Sequence, residues 1–208
     1  MCLIINNAIA SIVALVSAIS SVFIACYTCR QKKIQEENYT LSLFKEQYAV
    51  VNPIIVAYNY FKGGVDSYVR GVLLEEINNQ YLNKGYAISR LIEDNESSFI
   101  ALFSKDQYTY KNFVTDYYKV LSSARVMSNY LPTTQSGNDV QTLHSFYYDH
   151  KVNNGNEFAT ITQEELANAF PHAKDYIDDF YNKQSVFEEQ YSSFKNELLK
   201  EITIKSKQ

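Results

Sequence analysis

The chain has 208 residues, of which 46% are hydrophobic, 20% charged and 14% aromatic, and this composition excludes a chain that is disordered throughout. Its 19 Lys and Arg against 23 Asp and Glu give a formal net charge of −4. Because no overall positive field is present, we expect no nucleic-acid partner. Six Gly and three Pro are few for a sandwich or barrel, whose turns use those residues, so the predicted fold class is all-α.

The N-terminal segment is the sharpest feature of the sequence. Residues 1–29 contain no Asp, Glu, Lys or Arg. The run from Ala8 to Tyr27 holds about 20 apolar or small residues, which as a helix reach ~30 Å, the thickness of a hydrocarbon core. We therefore predict one transmembrane helix at 1–29, with the lipid bilayer as a partner, followed by a compact multi-helix soluble bundle.

Basic residues follow this segment at once, at Arg30, Lys32 and Lys33. Lys and Arg beside a single span stay on the cytoplasmic side. The pattern predicts a single-pass signal-anchor with its N-terminus outside and its C-terminal domain in the cytoplasm, as in a bacterial inner-membrane protein.

Small residues recur along one side of the predicted span and could let a second helix approach closely. The helix-packing candidates are Ala10, Ala14, Ala18, Ser21 and Ala25. We expect either a protein partner or a homo-oligomer, whose identity stays open.

Two alternatives concern processing of the N-terminus. A cleaved secretory signal needs a basic region before its apolar stretch, and none is present here. The stretch from Phe23 to Cys26 resembles a lipoprotein processing box, which would leave a lipid on Cys26. The three cysteines are Cys2, Cys26 and Cys29, so the soluble part has no disulfide framework, and a lone CxxC without nearby histidine predicts no metal site.

The segment 30–62 is predicted to be a juxtamembrane amphipathic helix, helical over about 30–52 and bent near Pro53. A heptad-like stripe, typical of a coiled coil, is formed by Ile34, Leu41, Tyr48 and Ile55 with Phe44, Val51 and Tyr58. Gly63 and Gly64 end this segment, and 63–208 forms the predicted soluble domain.

Within 63–208, apolar spacings of three and four predict helices over about 65–85, 87–93, 97–103 and 110–131. Another carries Val140, Leu143, His144 and Tyr147 between turn-rich segments at 132–138 and 153–156. Thr162 and Glu165 form a capping box that starts a helix. A last helix follows Pro171 and could pair with the 30–52 helix. Many of the 18 tyrosines lie at helix-core spacing, which predicts a packed ring with the hydroxyl reaching water or a partner.

Catalytic signatures are absent from the sequence. His144, His150 and His172 stand in no HxxxH or ExxH pattern, and GxSxG, GxGxxG and GxxxxGK[ST] do not occur. We assign no catalytic, metal or cofactor-binding residues and expect no cofactor. The leading hypothesis is a membrane-anchored protein acting through protein–protein contacts, as a scaffold, sensor or assembly component. The alternatives are a phage or host-defence membrane effector, or an unrecognised enzyme using His144 or His150.

Overall fold

The computed structural model describes residues 2–74, 78–103, 107–132, 142–154 and 160–205, and their side chains over 14–73, 80–103, 107–132, 142–153 and 160–202. These residues form eight α-helices and no strand, which confirms the predicted all-α class. The helices are α1 Cys2–Tyr60, α2 Gly64–Leu74, α3 Asn78–Asp94, α4 Glu96–Phe103, α5 Gln107–Ser128, α6 Leu143–Asn154, α7 Gln163–Ala169 and α8 Lys174–Lys205. A 3-10 turn, Pro171–Ala173, precedes α8.

Contacts divide the chain into two compact units, one formed by residues 1–46 with 205–208 and the other by 47–204. In the first unit, the described side chains of α1 are exposed from Ala14 to Tyr39. The second unit is the helical bundle, and its buried residues belong to every helix from the end of α1 to α8.

The core of the bundle is built largely from aromatic rings. Phe180 of α8 packs edge-on against Phe61, with ring centroids 5.6 Å apart, and Phe113 of α5 packs edge-on against Tyr191, at 5.0 Å. Edge-to-face pairs of this kind add about 0.5–1.5 kcal/mol to the burial of apolar area. The fully buried aromatic residues are Tyr68, Phe99, Tyr110, Phe113, Tyr117, Phe170 and Phe180.

Several buried or half-buried tyrosines donate their hydroxyls to backbone carbonyls. Tyr60 donates to the carbonyl of Tyr81, and Tyr81 donates to that of Tyr60 at 3.3 Å. Tyr117 donates to the carbonyl of Gly85 at 3.3 Å. Burial raises the pKa of Tyr81 to about 12, so its hydroxyl stays a donor at neutral pH. For these residues the predicted arrangement, a packed ring with a partnered hydroxyl, is confirmed.

Two glycines let helices approach closely. A Cβ on Gly71 of α2 would lie 2.0 Å from Cε2 of Tyr81 in α3, and one on Gly85 of α3 would lie 2.6 Å from Cδ1 of Leu121 in α5. Gly63 and Gly64 have φ of 96° and 60°, a backbone region that glycine adopts without steric cost. They end α1 as the sequence predicts.

The helix predicted over 30–52 is longer than expected, because α1 continues through Pro53 to Tyr60. Proline removes the hydrogen bond to the carbonyl of Ala49. The segment around it is held by packing, since Val51 and Ile54 are fully buried.

The heptad-like stripe is buried only in part. Ile34, Leu41 and Tyr48 are exposed, whereas Val51 and Tyr58 are buried. The buried residues of α1 share Val51 and Tyr58 with the stripe and otherwise lie beside it, at three- and four-residue spacing: Gln47, Val50, Val51, Ile54, Ala57 and Tyr58. A coiled coil through the exposed members therefore stays a prediction.

Other boundaries also differ from the sequence reading. The helix predicted over 65–85 is two helices, α2 and α3, and α3 runs past Gly85 to Asp94. The predicted break near Asn95 is present between α3 and α4. Val140 lies outside the described residues. The last helix is confirmed as α8, and it contacts α1 at Tyr58, whose ring lies 4.2 Å from Nζ of Lys195; pairing with residues 30–52 stays a prediction.

Candidate functional site

The apolar stretch of α1 is the first candidate for function. Within the described residues, the part of α1 from Ala14 onward is the one helical segment long and apolar enough to cross a membrane, by length and composition. None of the residues in its apolar window is buried. Phe23, for example, is 71% exposed. The core helix of a bundle would have these large apolar side chains buried, so this part of α1 is not a core helix.

The small residues of this stretch share one side of the helix. At 3.6 residues per turn, Ala14, Ala18, Ser21 and Ala25 lie within about 60° of the circumference, and all four are exposed. The Ser21 hydroxyl donates to the carbonyl of Ser17 at 2.8 Å, so it is bonded within its own helix. The backbone of Ala10 belongs to α1, but its side chain lies outside the described residues.

The charges after this stretch are exposed to solvent. Arg30, Lys32 and Lys33 are all exposed. Lys32 pairs with Glu36 at 3.8 Å, with both side chains mostly in solvent, and such pairs contribute little to stability. The thiols of Cys26 and Cys29 are free and exposed.

The three histidines have different surroundings. His144 is exposed on α6. The exposed His172 places Nε2 3.0 Å from the carbonyl oxygen of Tyr130. The side chain of His150 is only 8% exposed, and its Nε2 lies 3.9 Å from Oε2 of Glu165 in α7. Of the two histidines considered for catalysis, only His150 is set into the bundle beside a carboxylate.

His150 lines a cavity of about 520 Å³ between α6 and α7. The other lining residues are Phe146, Asp149, Asn153, Glu165, Asn168 and Ala169. A cavity between α5 and α8 of about 390 Å³ is lined without histidine. The α6–α7 cavity therefore combines an imidazole, two carboxylates and two amides around an apolar ring.

Local capping sets the start of both helices that form this cavity. The Thr142 hydroxyl accepts from the Ser145 amide at 3.1 Å at the start of α6. At α7, the Thr162 hydroxyl accepts from the Glu165 amide at 3.2 Å, and the Glu165 carboxylate accepts from the Thr162 amide at 2.8 Å. The predicted capping box is therefore confirmed.

An ion pair of α2 connects to both sides of the cavity. Asp66 pairs with Arg70 at 2.9 Å and accepts from the amide of Ile161, just before α7, also at 2.9 Å. Arg70 donates to the Tyr147 hydroxyl of α6 at 3.4 Å. These bonds link α2 to α6 and to the segment that leads into α7.

The capping box also favours the ionised form of the Glu165 carboxyl in the cavity. The amide and hydroxyl of Thr162 donate to Glu165 and lower the pKa of its carboxyl, and His150 acts in the same direction. Glu165 is therefore ionised at neutral pH. The described residues contain no group of three or more His, Cys, Asp or Glu side chains placed to hold a metal ion.

The sequence predicted the position of Glu165 but not its contact with His150. The capping box located Glu165 at the start of a helix, but no spacing links residue 150 to residue 165, because the contact depends on how α6 and α7 pack. Comparisons with protein-family models, curated proteins and solved structures found no match to this chain.

Proposed function

We propose that this chain is a single-pass, membrane-anchored helical protein that acts through protein–protein contacts, as a scaffold, sensor or assembly component. One observation carries the proposal: the exposed apolar part of α1 precedes a bundle that buries its own apolar residues. Lipid would cover the side chains that the fold leaves exposed.

The same proposal places the bundle in the cytoplasm and the N-terminus outside. Arg30, Lys32 and Lys33 support this orientation, because positive residues near a span are retained on the cytoplasmic side. A bacterial inner membrane fits the arrangement.

Protease protection in sealed vesicles tests the anchor and its orientation. Protease added to inverted inner-membrane vesicles should digest the bundle, while right-side-out vesicles should protect it. Digestion only in right-side-out vesicles would reverse the orientation. An intact mass that begins at Cys26, or that lacks the N-terminal segment, would replace the anchor with a processed signal.

We further propose that the small-residue face supports self-association in the membrane. Replacing Ala14 and Ala18 with Leu would keep the segment apolar while blocking close approach of a second helix. Cross-linking in liposomes should then detect fewer dimers. Val16→Leu, which enlarges a side chain on another side of α1, is the matched control and should leave the dimer fraction unchanged. A wild-type chain that stays monomeric contradicts this proposal.

A second candidate function is acid–base catalysis at His150. The supporting observation is the burial of the imidazole in a cavity, with Nε2 3.9 Å from Oε2 of Glu165, where the carboxylate favours the protonated form of the ring. Turnover of a panel of chromogenic esters and phosphoesters by the full chain tests it. His150→Gln should abolish the activity and His144→Gln should retain it. Equal activity in both variants would exclude His150 as the base.

A further inference from the structure

Two tyrosines at the surface of the bundle stack on each other. Tyr130 follows the end of α5, and Tyr176 lies in the first turn of α8. Their ring centroids are 4.0 Å apart with the planes 10° from parallel, and the Tyr176 hydroxyl donates to the Tyr130 hydroxyl at 3.1 Å. Stacked rings whose hydroxyls also meet point in the same direction. The carbon atoms ortho to the two hydroxyls are therefore neighbours.

The segments that carry the two rings are held in place. Leu131 and Ile177, which follow the two tyrosines in the chain, are fully buried. The carbonyl oxygen of Tyr130 lies 3.0 Å from Nε2 of His172, in the 3-10 turn before α8. Groups held side by side in this way have already lost the freedom that a reaction between them would otherwise cost.

Access and orientation distinguish this pair from a second stacked pair, Tyr60 and Tyr81. The ring centroids of that pair are 4.9 Å apart, and Tyr81 is buried. Each of its hydroxyls donates to the backbone carbonyl of the other residue, so the two rings point in opposite directions. Tyr130, by contrast, is 38% exposed. The chain has no Trp, so phenols are its most readily oxidised aromatic side chains.

We propose that Tyr130 and Tyr176 form an oxidative modification site, at which a one-electron oxidant joins the two rings into dityrosine. Each phenol gives one electron to the oxidant and its hydroxyl proton to water, and the two phenoxyl radicals join through a bond between their ortho carbons. The hydrogens on those carbons then leave as protons while each oxygen takes one proton back. Two electrons and two protons are lost in total, and a haem peroxidase uses them to reduce one hydrogen peroxide to two waters.

The cross-link joins the end of α5 to the start of α8 and closes a loop that contains α6 and α7. A covalent link across a long loop stabilises a fold mainly by restricting the unfolded chain. The oxidised bundle should therefore unfold at a higher temperature than the unmodified one. This site is independent of the membrane anchor and of His150.

Photo-oxidation of the full chain in detergent micelles, with ruthenium tris-bipyridyl and persulfate as the one-electron oxidant, tests the proposal. The thiols are alkylated first, because Cys26 and Cys29 are free and exposed and thiols reduce tyrosyl radicals. The monomer should gain dityrosine fluorescence and lose the mass of two hydrogen atoms. Peptide mass spectrometry should find Tyr130 linked to Tyr176, and the melting temperature should rise.

Three variants separate this site from general oxidation of tyrosine. Tyr130→Phe and Tyr176→Phe each keep the ring but remove one phenol, and both should lose the linked peptide. Tyr148→Phe removes a tyrosine that is 66% exposed and should form the link at the wild-type yield. Thermal unfolding before oxidation checks that each variant folds. The proposal is overturned if the oxidised wild-type monomer contains no link between Tyr130 and Tyr176, or if Tyr148→Phe loses dityrosine as completely as Tyr130→Phe does.

Discussion

The first half of α1 and the bundle contain the same kinds of apolar residue in opposite surroundings. Phe23 of α1 is 71% exposed, whereas Phe180 of α8 is fully buried. Both side chains are hydrophobic, but only that of Phe180 is surrounded by apolar groups of its own chain. The contrast shows that burial within the chain covers the apolar side chain in the bundle but not the one in the first half of α1.

The largest effect should come from placing charge in the exposed apolar region. Leu15→Asp with Ile19→Asp adds two carboxylates near the centre of the predicted span, each costing about 3 kcal/mol in a bilayer. The variant should leave the membrane fraction after an alkaline wash.

Gln35→Asp is the control, because it adds a carboxylate on the same helix beyond the basic residues. It should remain in the membrane fraction. Retention of the double variant would contradict a spanning helix.

The same substitution in both regions sharpens the contrast. Phe180→Ala should lower the free energy of unfolding of the bundle by about 3–5 kcal/mol, because it leaves a cavity in an aromatic core. Phe23→Ala should leave it unchanged. Denaturant unfolding of the full chain in mild detergent, followed by circular dichroism, measures both; equal effects would mean that Phe23 packs within the chain.

A smaller loss should follow from Gly71→Ala, whose added Cβ would overlap the Tyr81 ring. Overpacking of this kind costs about 1–3 kcal/mol. Gly71→Ala with Tyr81→Ala removes the overlapping ring and is the matched control. Measured against Tyr81→Ala alone, it should show little further loss. An unchanged melting temperature in Gly71→Ala would show that α2 and α3 are not so closely packed.

The smallest effect concerns the cap of α7. Because the pKa of Glu165 is lowered in the folded state, its ionised form stabilises the fold above the ordinary carboxyl pKa of about 4.3. That contribution is lost as the pH falls through the lowered pKa. Wild type should be more stable than Glu165→Gln at neutral pH and similar to it at about pH 2, below the carboxyl range.

Glu164→Gln is the control for this pH dependence, since Glu164 lies in the same first turn of α7. Removing the negative charge of Glu164 also alters the interaction with the helix dipole, but it leaves the capping box intact. Thermal unfolding across the pH range should show a larger pH-dependent difference for Glu165→Gln than for Glu164→Gln. If the two variants had the same dependence of stability on pH, the capping box would not be what lowers the pKa of Glu165.

Local signals in the sequence predicted much of the fold. Apolar spacing located α5 and α8, Gly63 and Gly64 marked the end of α1, and the capping box located α7. These features depend on neighbours within a few residues, where helix geometry alone decides which side chains share a face.

Features set by packing between distant segments could not be predicted in this way. The continuation of α1 past Pro53 depends on the burial of Val51 and Ile54, which compensates for a missing hydrogen bond. The burial of Val51 and the exposure of Tyr48 depend on which face of α1 the core contacts. The approach of His150 to Glu165 depends on how α6 packs against α7.

Flotation of the full chain with membranes in a detergent-free density gradient, after an alkaline wash, tests the central claim most directly. The account predicts that the protein floats with lipid and has the mass of all 208 residues. Full-length protein left at the bottom of the gradient, or a mature form that lacks the N-terminal segment, would contradict it.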